Sequence, residues 1–272
     1  MGLNDKYGLN QIYGITRNPE TNEYAIVTHF QNGGNLRRLI AEHHTELTWK
    51  KVIYMLRNVS GGLNNVHRRN YHHKDFHSGN ILNSIDSQYI ESVISDFGMS
   101  RPADKNSNDE NDKTLYGVIP FVAPEVLRGE DYTKAADIYG FGMIMWELLS
   151  GEPPFIDREY DQSLIIDICA NGLRPPIPDY APEPYVTLMK QCWDPIPANR
   201  PIANNINEQL CTWDSILEGY KDDVEIKRAF NKEREQQWKA RLAERTKNPP
   251  SLKASHNLLT SKRLNYPSGY GT

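Results

Sequence analysis

The segment that most constrains this chain is "DIYGFGMIMWELLS", residues 137–150. Its Ile, Tyr, Phe, Met, Trp and Leu side chains leave almost no polar face. A helix that is apolar all round its circumference belongs in the middle of a core, so the rest of the chain must be built around it. Gly151 and the prolines of "GEPPF" end it. Its most apolar run contains Glu147 and is only about ten residues long, too short to cross a membrane. No membrane span is expected.

The remaining elements follow from periodicity. "QIYGI" (11–15) and "YAIVTHF" (24–30) read as two strands joined through the turn formers of "TRNPETNE". "QNGGN" then breaks the chain. Trp49, Val52, Ile53, Leu56, Val59, Leu63 and Val66 fall on one 3.6-residue stripe, predicting a helix over 48–68 with Thr48 as its N-cap. "ILN" and "YIESVIS" are short strands about the turn "SIDSQ". Residues 101–113 lose all periodicity and read as a mobile loop. Further helices are predicted at about 159–170, 184–193 and 202–217. Residues 225–247 are helix-prone but highly charged, with a broken apolar stripe of Ile226, Phe230, Trp238 and Leu242. They read as a solvated helix, and the residues after "NPPS" as disordered. The class is α+β with a large helical part.

A chain of 272 residues suits one large domain or two small lobes. Its net charge of −4 is uneven. From Glu218 onward twelve Lys/Arg face seven Asp/Glu, so the tail carries +5 and the remainder −9. The body is therefore no nucleic-acid binder, whereas the basic tail could engage an acidic signalling partner or the body itself. Cys169, Cys192 and Cys211 have no metal-type spacing and read as buried free thiols, which points to the cytoplasm. The start, "MGLNDKYGLN", has neither a signal-peptide pattern nor a myristoylation signal.

The chemistry concentrates in "YHHKDFHSGNIL" (71–82) and "VISDFGMS" (93–100). Asp75, Asn80 and Asp96 are oxygen donors that suit a hard cation such as Mg²⁺ better than zinc. If Asn80 and Asp96 hold the metal, Asp75 is left to accept a proton. That division is useful where a hydroxyl attacks a phosphate.

"HKD-FHSG-N", then "DFG", then "APE" resembles the eukaryotic protein kinases, in that family's order and over residues 9–217. "HSGN" is most similar to the tyrosine-kinase-like group. The resemblance implies a protein-kinase-like α+β fold. Residues 1–30 would be a two-stranded remnant of the N-lobe, 31–217 the helical C-terminal lobe, and 218–272 a basic tail, partly helical or disordered. It implies transfer of the ATP γ-phosphoryl group to a protein Ser or Thr, or to Tyr, with Mg²⁺. Asp75 would be the catalytic base, with Asn80 and Asp96 the metal ligands. Lys74 stands where the family often has an Arg that pairs with a phosphorylated activation loop. His77 replaces a Lys that contacts the γ-phosphate, and Val118 a Thr; both departures weaken a Ser/Thr assignment. The His29 carbonyl and Gln31 N–H would face adenine, Leu82 would pack beneath it, and Thr28 would be the gatekeeper. His73, Phe97 and Ile12 would belong to the regulatory spine. Residues 96–125 would be the activation segment, with Ser100, Ser107, Thr114 and Tyr116 as candidate phosphoacceptors. Glu125 would pair with Arg200, and Asp137 would fix the catalytic-loop backbone, act as an N-cap, or both.

The family's Gly-rich loop, its phosphate-binding Lys strand and the helix supplying the partner Glu have no counterpart here; "QNGGN" and "NVSGGL" lie elsewhere in the pattern. Loss of one charge-stabilising donor costs about 10²–10³ in rate in other enzymes. The expectation is a truncated product, an incomplete gene model or a kinase-like protein that has lost catalysis. The two strands should expose apolar edges. Two other readings stay open: a catalytically inactive binding module, and a metallohydrolase using His72, His73, Asp75 and Asp96.

Overall fold

The computed structural model describes residues 7–86, 89–103, 115–247 and 260–264. The architecture is α+β. Among the described residues the strands pair as four two-stranded sheets, and most of the remaining regular structure is helical.

Strands β1 (Ile12–Arg17) and β2 (Tyr24–Thr28) form an antiparallel hairpin. It stands clear of the core: Ile15 is 72% and Ile26 65% exposed. The apolar edges expected from the sequence are thus present. Below the hairpin the chain is stapled to a second hairpin, β4 (Ile81–Ile85) and β5 (Ile90–Ile94). Asn10 N–H donates to the Ile94 carbonyl at 2.8 Å, Gly33 N–H to that of Asn83 at 2.8 Å, and Asn83 N–H to that of Gly34 at 2.8 Å.

Helix α1 (Leu36–His43) is capped by Asn35 and leads through a 3₁₀ turn to α2 (Trp49–Arg68). Thr48 caps α2 as expected, its hydroxyl accepting from Lys51 N–H. Gly61 and Gly62, within "NVSGGL", serve packing. A Cβ on Gly62 would overlap the Gly8 carbonyl oxygen, so the incoming chain lies directly on the helix. Gly8 itself has φ +76, a conformation glycine adopts without strain.

The apolar helix is α4 (Lys134–Ser150), and from Ala136 onward every residue is buried. It begins three residues before the expected start. Asp137 is consequently in its first turn, and Thr133 occupies the N-cap position. Gly151, at φ 78, ends the helix in the left-handed region, and its N–H donates to the Glu147 carbonyl. The short α3 (Pro124–Leu127) precedes α4; α5 (Gln162–Ala170), α6 (Glu183–Cys192) and α7 (Ala203–Leu217) surround it, close to the expected ranges. All three cysteines are free, but only Cys192 is buried; Cys169 and Cys211, expected to be buried, are half-buried at the edges of the buried faces of α5 and α7.

Two expectations need correction. Residues 101–113 do not begin as a loop, because Arg101–Pro102 (β6) pairs antiparallel with Tyr71–His72 (β3); residues 104–113 lie outside the described residues. The charged segment after 217 is two helices, α8 (Val224–Ala229) and α9 (Lys232–Lys247), and α9 is docked rather than solvated. Trp238 is 0% exposed, stacks on Trp49 with centroids 4.3 Å apart, and donates its indole N–H to the Leu149 carbonyl at 2.8 Å. Glu235 accepts the N–H of Trp49 at 2.9 Å, satisfying one orphan donor at the start of α2. The stripe is broken because it spans two helices: Ile226 and Phe230 belong to α8 and its C-cap, Trp238 and Leu242 to α9. The expectation of disorder after "NPPS" falls mostly outside the described residues. Within it, Lys262–Leu264 forms β8, antiparallel to β7 (Leu115–Gly117).

Candidate active site

The site is organised around Asp137. Its carboxylate, carried by α4 and fully buried, accepts from the backbone N–H of His73 at 2.9 Å and of Lys74 at 3.3 Å. The Tyr132 hydroxyl donates to it at 2.6 Å and the His67 ring at 2.9 Å. Burial alone would raise its pKa; the hydrogen bond and charge of His67 outweigh burial and hold the carboxyl below its usual range. These bonds fix the loop where Lys74 takes φ 70, an unfavourable angle for a side chain of that kind. The β3–β6 pair clamps the loop from its other side. His72 stacks on Tyr132, and burial pushes its pKa down to about 4.

Asp75 is 7% exposed. Asn80 donates its amide to Asp75 twice, to the backbone carbonyl at 2.9 Å and to Oδ2 at 3.1 Å. Oδ1 faces His77 Nε2 at 3.4 Å and accepts from the Ser261 hydroxyl. Burial pushes the Asp75 pKa up, but hydrogen bonds from His77, Ser261 and Asn80 bring it below the ordinary value. Asp75 is thus an ionised acceptor at neutral pH. His77 Nδ1 accepts from Gly79 N–H at 3.0 Å, so its proton sits on Nε2 and points toward Asp75 and Ser261.

Ser95 couples the two acids. Its N–H and hydroxyl each donate to the Asn80 carbonyl at 2.9 Å, and its own carbonyl accepts from His73 Nε2 at 3.0 Å. Asp96 follows at φ 58, exposed, with Oδ1 accepting from Gly98 N–H at 3.2 Å. The amide nitrogen of Asn80 is committed to Asp75, which leaves its carbonyl oxygen as the donor. With the open Asp96 carboxylate, this makes an oxygen-only set that fits a hard divalent cation.

The other anticipated residues are arranged as follows. His73 and Phe97 are in edge-to-face contact at 5.2 Å, whereas Ile12 stands exposed, away from any packed column. Leu82, half-buried on β4, bridges to Asn35. Gln31 donates to Asn10 Oδ1 at 3.1 Å, and the His29 N–H is held by the Gln11 carbonyl at 2.8 Å. Both lie in the neck between the two hairpins. Glu125 and Arg200 form a buried bidentate pair at 2.6 and 2.8 Å. Ser100 contacts the His73 carbonyl at 3.4 Å, and Tyr116 is exposed on β7; Ser107 and Thr114 lie outside the described residues.

Several residues carried no sequence signal. His67, Tyr132 and Ser95 hold the loop through contacts between distant segments, and Ser261 enters from the far end of the chain. The buried Glu147, 3.7 Å from Arg37, was visible only as one acid in an apolar helix. The metallohydrolase reading fails on geometry. Both His73 ring nitrogens are taken, one by Ser95 and one by Asp75 N–H at 3.3 Å, and His72 is stacked under Tyr132. Among the described residues no cluster of three His, Cys, Asp or Glu is arranged to hold a metal. No described helix is long and apolar enough to cross a membrane.

A family model described as protein tyrosine and serine/threonine kinase matches residues 3–210. The chain is 31% identical over 202 residues to drkC of Dictyostelium discoideum, named as a probable serine/threonine-protein kinase, covering 74% of this chain and 26% of that one. It is 37% identical over 150 residues to mitogen-activated protein kinase kinase kinase 12 of Rattus norvegicus (54% and 16%). To mitogen-activated protein kinase kinase kinase 10 of Mus musculus it is 32% identical over 198 residues (68% and 20%). The chain spans about a quarter or less of the length of these relatives.

Proposed function

The chain belongs to the protein tyrosine and serine/threonine kinase family, and from that premise we propose that it transfers the γ-phosphoryl group of ATP to a protein hydroxyl, with serine or threonine as the favoured acceptor. Asp75 is the base in this reading. The observation that carries it is the setting of its carboxylate: ionised, nearly buried, oriented by Asn80, and with Oδ1 turned to an incoming hydroxyl. Asp75 would accept the hydroxyl proton as the oxygen attacks phosphorus. His77 Nε2–H, beside Oδ1, would donate to the acceptor oxygen and align it.

Asn80 Oδ1 and the Asp96 carboxylate would hold Mg²⁺, which when bound offsets charge on the phosphates. His29, Gln31 and Leu82, at the neck and on β4, would receive the adenine. Lys74, held in an unfavourable conformation by Asp137, would project from the same loop toward the activation segment. The named acceptor class of the relatives, serine/threonine, supports the substrate assignment.

Phosphotransfer to dephosphorylated casein from Mg·ATP tests the proposal. Without the family's Gly-rich loop and phosphate-binding Lys, the wild-type chain should label casein slowly, at least about 10²–10³-fold below what a complete phosphate site would give, and Asp75→Asn should abolish labelling while leaving the melting temperature within a few degrees. Labelling that survives Asp75→Asn refutes the base assignment. No labelling from a well-folded chain that binds Mg·ATP would favour a binding module.

A further inference from the structure

The last described residues of the chain lie in the active site. Lys262–Leu264 adds a strand to the free edge of β7, with Gly117 opposite Lys262, Tyr116 opposite Arg263 and Leu115 opposite Leu264. Leu264 is buried in the core cluster. Gly117 brings β7 against the base: a Cβ there would meet Val122 at 2.7 Å and Asp75 Oδ1 at 4.0 Å. The residue before the added strand is Ser261. Its hydroxyl donates to Asp75 Oδ1, and its oxygen lies 3.3 Å from His77 Nε2. Strand addition gives a peptide register through its main chain and selects it through alternate side-chain pockets. Here the register ends with a hydroxyl on the proposed base and an aliphatic anchor three residues later.

We propose that Ser261 is an intramolecular phosphoacceptor, and that the Ser261–Leu264 strand occupies the acceptor-peptide groove of this chain until it is modified. The proposal rests on the kinase reading above. In the step, Ser261 Oγ forms a bond to the γ-phosphorus of ATP. The bond from that phosphorus to the β,γ-bridging oxygen breaks, ADP leaves, and the hydroxyl proton passes to Asp75 Oδ1. A phosphoserine carries about −1.5 to −2 charges at neutral pH. Held against the Asp75 carboxylate it would be repelled, so modification releases the strand and opens the groove to other substrates. The same geometry assigns those substrates a hydroxyl residue followed, three positions on, by a large aliphatic one.

The test uses the full chain with two readouts. Peptide mass spectrometry after incubation with Mg·ATP should find one phosphate at Ser261, formed at a rate per molecule that does not change over a tenfold dilution. Hydrogen exchange without nucleotide should find the amides of residues 115–117 slow in the wild type and at least tenfold faster in Leu264→Asp. That variant should also lose Ser261 labelling and phosphorylate casein faster. If casein is labelled but Ser261 is not, or if Ser261 labelling slows on dilution, the inference falls and the kinase reading stands. Exchange at 115–117 that is unmoved by Leu264→Asp shows that the strand is not seated, and also overturns it. Absence of transfer to either acceptor removes both.

Discussion

At the residue scale, burial of a few ionisable groups sets what the site can do. Asp137 and Asp75 are buried carboxylates kept ionised by the donors around them. Their contribution to stability is present above the ordinary carboxylate pKa and fades as pH falls through their lowered values. His72 acts in the same direction by another route. Its folded pKa is about 4 against 6.5 for the free side chain. Between these values the unfolded chain binds a proton that the folded chain refuses, so acidification costs stability, up to about 3 kcal/mol by pH 4. His72→Phe keeps the ring on Tyr132 and removes this term. Chemical unfolding from pH 6.5 to 4 should show a shallower loss of stability in the variant. Parallel curves would mean that His72 titrates as an exposed histidine.

At the scale of elements, the docked tail helix and the exposed hairpin are opposites. Trp238 of α9 fills a groove against Trp49, so Trp238→Ala should cost about 3–5 kcal/mol; a loss below 1 kcal/mol in urea unfolding would place α9 outside the cooperative core. The β1–β2 hairpin buries almost nothing. Replacing Ile15 and Ile26 by Glu should change the urea midpoint little while lowering self-association in sedimentation. Unchanged association would mean that the hairpin faces do not drive it. The sequence made α2, α4 and the β4–β5 hairpin legible because each has a strong local signal: a stripe, an unbroken apolar run, or two short apolar runs about a turn. The docking of α9 was illegible because two apolar residues, Trp238 and Leu242, in a charged helix look the same whether or not a groove awaits them. Likewise "DFG" and "HKD" are local strings, whereas the pairing of Asp75 with Ser261 joins residues 186 positions apart.

At the scale of the whole molecule, α4 is the frame on which the site is hung. Its first turn supplies Asp137 to the loop that carries Asp75, and the Leu149 carbonyl in its last turn receives Trp238 from the tail. Gly8 lies against α2, α9 reaches the frame through Trp238, and β8 pairs with β7 beside the base. One scaffold thus holds a proposed base and a proposed cation site at fixed positions, a positioning that accounts for much of the catalysis such sites achieve.

The proposed reaction divides its labour between Asp75, the base, and the Asn80–Asp96 pair, which would hold the cation. This division is tested most directly by thermal unfolding with Mg·ATP at about a hundred times Kd. Binding then stabilises by about 2.7 kcal/mol, which raises the midpoint by about 5–10 °C for a chain of this size. This Mg²⁺-dependent rise is expected in the wild type and in Asp75→Asn, and is expected to be lost in Asp96→Asn. A rise that survives Asp96→Asn, or that vanishes in Asp75→Asn, would contradict this division.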